Sequence, residues 1–138
     1  MKKKLVIAFC ILFACAAGLR AQDTQQRINK KNLIIKEWNS DPRGGNRTLD
    51  HVTTYSPDGK KIEEIEYNSD GIKWIKRYEY NADGKVSKEL VYDSRRRLQT
   101  YKTFEYNEFG RKKVQYTYNA RGRLIQVKNF EYIAQDAS

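Results

Sequence analysis

Polar, turn-forming positions interrupt the hydrophobic pattern of this chain at regular intervals between residues 55 and 132. Each interruption follows a tyrosine, as in Tyr80-Asn81-Ala82-Asp83-Gly84. The repeated tyrosines lie at successive steps of 12, 13, 12, 14, 12 and 14 residues, at Tyr55, Tyr67, Tyr80, Tyr92, Tyr106, Tyr118 and Tyr132. An Asn or Asp side chain bonds back to the backbone of a type I turn, and a following Gly supplies a left-handed residue. The repeat therefore predicts a series of β-hairpins.

The segments between these turns alternate apolar and polar residues, which is typical of half-buried strands. Upstream, residues 47–55 are rich in β-branched side chains, and the short apolar run 33–38 favours a strand. The turn sequence Asp93-Ser94-Arg95-Arg96 lacks glycine and is the least typical of the series. The fold class is therefore all-β, an antiparallel up-and-down meander of about seven to eight strands. Its later strands are predicted at about 60–67, 72–80, 85–92, 97–106, 111–118 and 123–132.

The turn type also predicts which residues face each other across neighbouring strands. The rule places Tyr80 opposite Val86, and in the same way Lys76 opposite Leu90, Trp74 opposite Tyr92, Tyr92 opposite Leu98, Phe104 opposite Val114 and Tyr118 opposite Leu124. This register collects even-numbered apolar side chains on one face and leaves the odd-numbered, mostly polar ones on the other. Ile65 and Ile75 are exceptions, because the rule pairs them on the polar face. The even-numbered face includes Trp74, Tyr78, Tyr80, Val86, Leu90, Tyr92, Leu98, Phe104, Tyr106, Val114, Tyr116, Tyr118 and Leu124.

A sheet with one apolar face must cover that face with something else. The sequence after the first 21 residues contains no convincing amphipathic helix for this purpose. Three coverings stay open: the sheet rolls into a closed or partly open barrel, it packs against residues 28–55, or it packs against a second copy as a homodimer.

The first residues have the pattern of a secretory signal peptide. Three lysines at 2–4 precede an apolar run that ends near Ala17, and small Ala21 precedes Gln22. We expect cleavage after Ala21 and an exported protein, periplasmic or secreted, that has no transmembrane span afterwards. The predicted organisation is a signal peptide at 1–21, a flexible arm at 22–31 and a single β-repeat domain at 32–138.

Both cysteines lie inside this leader, at Cys10 and Cys15. A lipoprotein anchored through Cys15 is the alternative localisation, although Phe13 fits a lipidation signal poorly. Without the leader the chain has no cysteine, and hence no disulfide and no thiol nucleophile. The net charge of +10 falls to +6 (10 − 4) once Arg20 and the three lysines are removed, which favours acidic partners.

Residues with catalytic chemistry are few and are explained by the repeat. His51 is the single histidine, and it has no cluster of Cys or His residues with which to bind a metal. Carboxylates recur with the strands among basic residues, so cross-strand charge pairing explains them better than a glycosidase pair. These carboxylates are Glu66, Glu79, Glu105 and Glu131. We therefore expect no catalytic residue, no metal and no cofactor.

Two sets of residues are candidates for binding. Basic clusters follow the turns at both ends of the strands and suit an anionic partner. Arg111, Lys112 and Lys113 are predicted at one end, and Arg95, Arg96 and Arg97 at the other. Aromatic side chains on the even-numbered face could stack on sugar rings if that face is open, at Trp74, Tyr78 and Tyr116. An aromatic and basic surface also suits single-stranded nucleic acid, but an exported protein is not expected to meet that ligand.

The repeat unit, as in Tyr118-Asn119-Ala120-Arg121-Gly122-Arg123-Leu124, resembles the YD repeat of RHS-type bacterial surface proteins. A leader followed by a short run of such repeats is also similar to small secreted proteins of unknown function from Bacteroides-type bacteria. The resemblance covers about residues 55–132 and implies strand-turn-strand geometry. It implies no catalytic residue, and the chain has too few repeats for the enclosing shell that large YD-repeat proteins build.

The sequence thus predicts a non-catalytic exported β-repeat protein that binds protein or an acidic glycan of the envelope at its surface. A glycan hydrolase with a cleft in a rolled sheet is the alternative from a different class. A purely structural, self-associating envelope protein is the third reading.

Overall fold

A computed structural model describes residues 27–135, which form one eight-stranded antiparallel sheet. Each strand pairs with the strands before and after it in the chain, so the predicted meander is confirmed. The sheet does not close into a barrel, because β1 and β8 are its two free edges. The strands are β1 Ile34–Ser40, β2 Arg47–Tyr55, β3 Lys61–Asn68, β4 Gly71–Tyr80, β5 Val86–Tyr92, β6 Leu98–Tyr106, β7 Lys112–Asn119 and β8 Leu124–Asn129.

Five turns share one geometry. They are the turns at 56–60, 81–85, 93–97, 107–111 and 119–123. In the turn between β4 and β5, Asn81 N–H donates to the Lys85 carbonyl at 2.8 Å, and Gly84 N–H donates to the Asn81 carbonyl at 3.0 Å. The turn without glycine forms the same bonds, and Arg96 occupies the left-handed position at φ 61°. The repeat therefore specifies this turn even where its most favourable residue is missing.

Bulges at the repeated tyrosines make the predicted register wrong beyond the first pair of each hairpin. Tyr80 faces Val86 as expected, but the register shifts between Glu79 and Tyr80, so Lys76 faces Val91. Equivalent shifts directly precede the tyrosines at 55, 67, 92, 106 and 118. An extra residue in one strand moves every later side chain to the opposite face. The bulge is thus part of the repeat, and a turn-based rule does not include it.

The even-numbered apolar face is consequently wrong, since apolar residues lie on both faces. We call one side the isoleucine face; its paired residues run across the sheet through Val52, Ile65, Ile75 and Tyr92. The other side, the glutamate face, includes His51, Glu64, Glu66, Trp74, Tyr78 and Glu89. Ile65 and Ile75 pair as the turn rule predicted. The rule placed this pair on a polar face, whereas the face that contains it is apolar at its centre.

Within residues 27–135, contacts between strands join only consecutive ones, so no second layer covers either face. The buried apolar side chains of this part are Val52 and Ile75, and Ile75 is only 1% exposed. Basic side chains lie over aromatic rings instead: Lys76 Nζ is 5.0 Å from the Trp74 ring centroid. Similar pairs join Lys61 to Tyr78, Arg77 to Tyr92, Lys88 to Tyr101 and Lys112 to Phe104. Amphipathic stems and cation–π contacts therefore shield the rings from water.

The last strand is shorter than predicted. β8 ends at Asn129 rather than at residue 132, although the Phe130 N–H still donates to the Lys113 carbonyl at 3.0 Å. All six β8 residues are exposed. The predicted signal peptide and the first half of the predicted arm, residues 22–26, lie outside the described residues. Among residues 27–135, no helix has the length and hydrophobicity that a membrane crossing requires.

Candidate functional site

The meander separates the candidate basic residues into two groups at opposite ends of the strands. The turn 93–97 and the turn 119–123 lie at the end where β5 and β7 finish, which we call the arginine end. Arg111, Lys112 and Lys113 lie at the other end, with the turns 56–60 and 81–85, which we call the lysine end. Trp74 and Tyr78 are on the glutamate face, whereas Tyr116 is on the isoleucine face. The nine candidates therefore do not form one site.

At the lysine end, acidic residues offset the basic ones. Each of its three turns contains one acid and one base, and Lys60 is 3.1 Å from Asp58 across one of them. Lys85 lies along the next turn, with its Nζ 3.2 Å from the point that a Cβ on Gly110 would occupy. These turns are locally neutral, and the excess positive charge lies in the adjoining Lys112 and Lys113.

The arginine end is different, because the turns 93–97 and 119–123 contain five arginines and a single acid, a local net charge of +4 (5 − 1). The loop 41–46 and the turn 69–70 at the same end add Asp41, Arg43 and Asp70. The turns 93–97 and 119–123 are two strands apart, which is roughly 9–10 Å. Arg97 pairs with Asp93 at 2.8 Å. The other four arginines are exposed and form no ion pair within residues 27–135, at Arg95, Arg96, Arg121 and Arg123. A guanidinium offers a planar set of donors that matches a carboxylate or phosphate group.

Asp93 organises the first of these turns. Its Oδ1 accepts from the backbone N–H groups of Arg97 and Arg95, each at 2.9 Å, and its Oδ2 accepts from Arg97 Nε at 2.9 Å. The backbone donation from Arg97, with the guanidinium of the same residue, holds the pKa of Asp93 below its ordinary value. The carboxylate thus fixes the loop and also occupies the fifth arginine.

Replacing Asp93 with Asn is expected to retain the turn and strengthen anion binding. Asn119 accepts the same two backbone donations in the neighbouring turn, so an amide oxygen suffices there. The substitution removes the acid from the cluster and frees Arg97. We expect about threefold tighter binding of polygalacturonate, measured by calorimetry at low salt, where exposed charges are least screened. Unchanged or weaker binding by a folded Asp93→Asn variant would show that this cluster is not the contact surface.

The glutamate face contains a half-buried ion network that the sequence did not reveal. Glu64 Oε1 lies 2.7 Å from Lys61 Nζ and 3.7 Å from His51 Nε2, and Glu64 accepts from the Tyr78 hydroxyl. His51 Nδ1 lies 3.0 Å from Glu66 Oε2 on its other side. The His51 ring meets Trp74 edge-on, with ring centroids 6.0 Å apart. His51 is therefore enclosed by two carboxylates and an aromatic ring.

The electrostatics of this network keep Glu64 charged. Burial alone would raise the pKa of Glu64, but hydrogen bonds from Lys61 and Tyr78 outweigh it and hold the pKa below its ordinary value. Burial and the bond to Glu64 together raise the pKa of Tyr78 far above its ordinary value. Beside it, Glu89 is shared by Lys102 at 3.2 Å and Lys76 at 3.9 Å. The carboxylates of this face thus act as anchors for lysines.

The remaining candidates are engaged in the sheet. Trp74 has Lys76 over its ring, and the Tyr116 hydroxyl donates to Glu105 at 2.9 Å. Glu79 is exposed on the isoleucine face. No group of three or more His, Cys, Asp or Glu residues within 27–135 is arranged to hold a metal ion. An open groove of about 520 Å³ lies near Asn39, Asp50 and Tyr67 at the arginine end.

The sequence missed Glu64 and Glu89, because it associated carboxylates with the position directly before each tyrosine. The bulge places those positions differently from strand to strand: Glu66 lies beside His51, whereas Glu79 is on the opposite face. The spacing of Lys61, Glu64 and Tyr78 in the sequence could have indicated this group. The spacing brings the three side chains together only in the shifted register, which the turn rule did not predict.

Comparisons with known proteins give no family. No family model matches the chain, and no curated protein matches it in sequence. Among solved structures, a GtfA/B complex bound to UDP and GlcNAc is similar over 69% of this chain and 20% of its own, at 16% identity and a TM-score of 0.30. The accessory secretory protein 1, 2 and 3 structure from Streptococcus pneumoniae is similar over 80% of this chain and 21% of its own, at 19% identity and a TM-score of 0.33. The chain spans about a fifth of the length of either.

Proposed function

We propose that this protein is a non-catalytic binding protein that holds an acidic glycan at its arginine end. The observation behind the proposal is Arg96, which occupies the left-handed position of its turn at φ 61°. The equivalent residues in the four other turns of this geometry are Gly59, Gly84, Gly110 and Gly122. A left-handed conformation costs a residue with a Cβ about 1–2 kcal/mol. Because an arginine occupies this position despite the cost, we infer that the Arg96 guanidinium has a role.

The chemistry of the end suits repeated anionic groups on a flexible chain. Its exposed arginines lie on two protruding turns rather than in a cleft, so they can reach successive charges of one polymer. The tips of the turns are Ser94 with Arg95 and Ala120 with Arg121, so three of the four tip residues are polar. A folded acidic protein would need an apolar centre for a stable interface, and these tips do not offer one.

The state of the carboxylates supports a binding role over hydrolysis. Glycoside hydrolysis requires one carboxyl whose pKa is raised so that it can donate a proton. Glu64 is held ionised by Lys61 and Tyr78, which is the opposite condition. Glu89 lies between two lysines. Both side chains are suited to fixing the sheet.

We also propose that the protein is exported and that its tyrosine repeats are related to the YD repeat. The leader at 1–21 lies outside the described residues, so the support for export is its sequence pattern alone. The support for the repeat is the turn geometry that recurs with each tyrosine. An envelope or extracellular setting would bring the arginine end close to acidic glycans.

Replacing Arg96 with Gly is expected to raise stability and weaken binding at once. Glycine adopts the left-handed conformation without steric cost, so we expect a gain of about 1 kcal/mol in the free energy of unfolding, measured with urea. Loss of one guanidinium is expected to weaken polygalacturonate binding about threefold, equivalent to about 0.7 kcal/mol. Calorimetry at low salt measures this second effect. Opposite signs in the two measurements separate a binding defect from a folding defect.

The matched control is Lys36→Gln, which removes one positive charge from β1, away from the arginine turns. We expect it to leave binding nearly unchanged. Equal losses in the two variants would mean that only net charge matters, and the proposed site would be wrong. Uncharged dextran should not bind, and polyglutamate should bind more weakly than polygalacturonate. Tighter binding of polyglutamate would identify an acidic protein as the partner instead.

A further inference from the structure

The free edge at β8 is the least protected part of the described sheet. All six of its residues are exposed, and Ile125 and Val127 are 56% and 47% exposed. Natural edge strands are usually blunted by several charges, by proline or by a covering loop. β8 contains no proline, and Lys128 is its single charged residue. Such an edge is a template for another strand.

The hydrogen-bonding pattern identifies which backbone groups of β8 are available. Phe130 N–H donates to the Lys113 carbonyl, so Phe130 directs its backbone groups toward β7. Backbone groups in an antiparallel strand alternate between the two sides. The N–H and C=O groups of Val127 and Asn129 therefore point away from β7, to the free side. A partner strand can bond to them without disturbing the pairing between β7 and β8.

We propose that this edge pairs with β8 of a second copy, as an antiparallel two-fold dimer centred on Val127. Val127 then faces the partner's Val127, and the two residues exchange two backbone hydrogen bonds. Gln126 faces the partner's Lys128. No like charges are directly opposite in this register, so cross-strand repulsion is absent. The two-fold arrangement is self-complementary and closes as a dimer.

Charge complementarity separates this pairing from one between two β1 edges. Antiparallel pairing of β1 with itself about Lys36 or about Glu37 places like charges opposite each other. The extra residue of the β1–β2 bulge is Asp50 on β2, whereas the extra residue of the β7–β8 bulge, Ile125, is on β8 and lies outside the central pairs at 126–128. Pairing of β8 with a second copy's β1 would generate an open filament rather than a closed pair. We favour the β8 edge because it contains a single charged residue and pairs with itself about Val127 without like charges opposite each other.

The dimer would change what the arginine end can do, a consequence that rests on the proposed function. β8 runs from the arginine end to the lysine end, so an antiparallel partner has the reverse orientation. The two arginine ends then face opposite directions on one continuous sheet. Such a dimer would bridge two acidic glycan chains, whereas a monomer holds one.

The test is the solution mass of the protein across a range of concentrations, without any glycan. We expect sedimentation equilibrium to show a reversible monomer–dimer equilibrium. Val127→Pro should weaken dimerisation at least tenfold, because proline lacks the N–H at the two-fold axis while the bonds to β7 do not use it. Val127→Lys is the second variant, since it places two lysines opposite each other. Both should keep a β-sheet circular dichroism spectrum.

Ile34→Lys is the matched control on the β1 edge, where Ile34 is 57% exposed. It should dimerise as the wild-type protein does. A wild-type monomer at all concentrations would overturn the proposal, and so would an equal effect of Ile34→Lys. Species larger than a dimer would indicate the filament instead. None of these outcomes depends on glycan binding, so they leave the test of the arginine end separate.

Discussion

Replacing Ile75 with Ala is expected to cause the largest loss of stability of any single change in the sheet. Ile75 is 1% exposed and lies on β4 between Ile65 and Tyr92 in the register. Removing a buried isoleucine side chain to alanine costs about 2–5 kcal/mol. We expect about 3 kcal/mol, a large fraction of the 5–15 kcal/mol typical of a whole domain. Urea denaturation followed by circular dichroism measures the loss.

The reason for so large an effect is that the described sheet has little other core. Val52 is its second buried apolar side chain, and it lies in the same row of paired residues. No second layer can move in to fill the gap, since only neighbouring strands are in contact within residues 27–135. Ile34→Ala is the control with identical chemistry at a β1 site that is 57% exposed. It should change stability by less than about 0.5 kcal/mol; comparable losses in the two variants would show that Ile75 is not the core.

Replacing Glu64 with Ala is expected to cost about 2 kcal/mol in the free energy of unfolding at pH 7. Breaking one member of a buried charged pair costs about 3–5 kcal/mol. We expect a loss below this range because Lys61 is 37% exposed, so water can solvate its ammonium group once Glu64 is removed. Tyr78 would lose its acceptor, and His51 would retain Glu66 alone. The control is Glu79→Ala, an exposed glutamate on the opposite face, for which we expect a change below about 0.5 kcal/mol.

The pH dependence of this effect follows from the lowered pKa of Glu64. A carboxyl whose folded pKa is below its unfolded value of about 4.3 contributes stability that is fully present above that value. The contribution disappears as the pH falls through the folded pKa, where Glu64 takes up a proton. The difference in stability between the wild-type protein and Glu64→Ala should therefore shrink from pH 7 to pH 3. A difference that is constant over this range would show that the lost interaction does not depend on the charge of Glu64.

The sequence by itself determined the local architecture. Turn chemistry is local, because Asn, Asp and Gly act within four or five residues, and the tyrosine spacing sets the strand length. The eight antiparallel strands and the first pair of most hairpins, such as Tyr80 with Val86, followed from these patterns. The basic residues were also correctly divided between the two ends, since each turn reverses the chain.

Only the tertiary structure decided which side chains share a face. A bulge at each tyrosine adds one residue to a strand, and because side chains alternate with a period of two, the shift exchanges the faces. This single effect separated Tyr116 from Trp74 and Tyr78, and it brought Glu64 beside His51. The covering of the sheet was likewise not local: lysine and arginine stems from neighbouring strands lie over the rings, as Lys61 of β3 does over Tyr78 of β4. Those contacts depend on the shifted register, which turn chemistry alone does not specify.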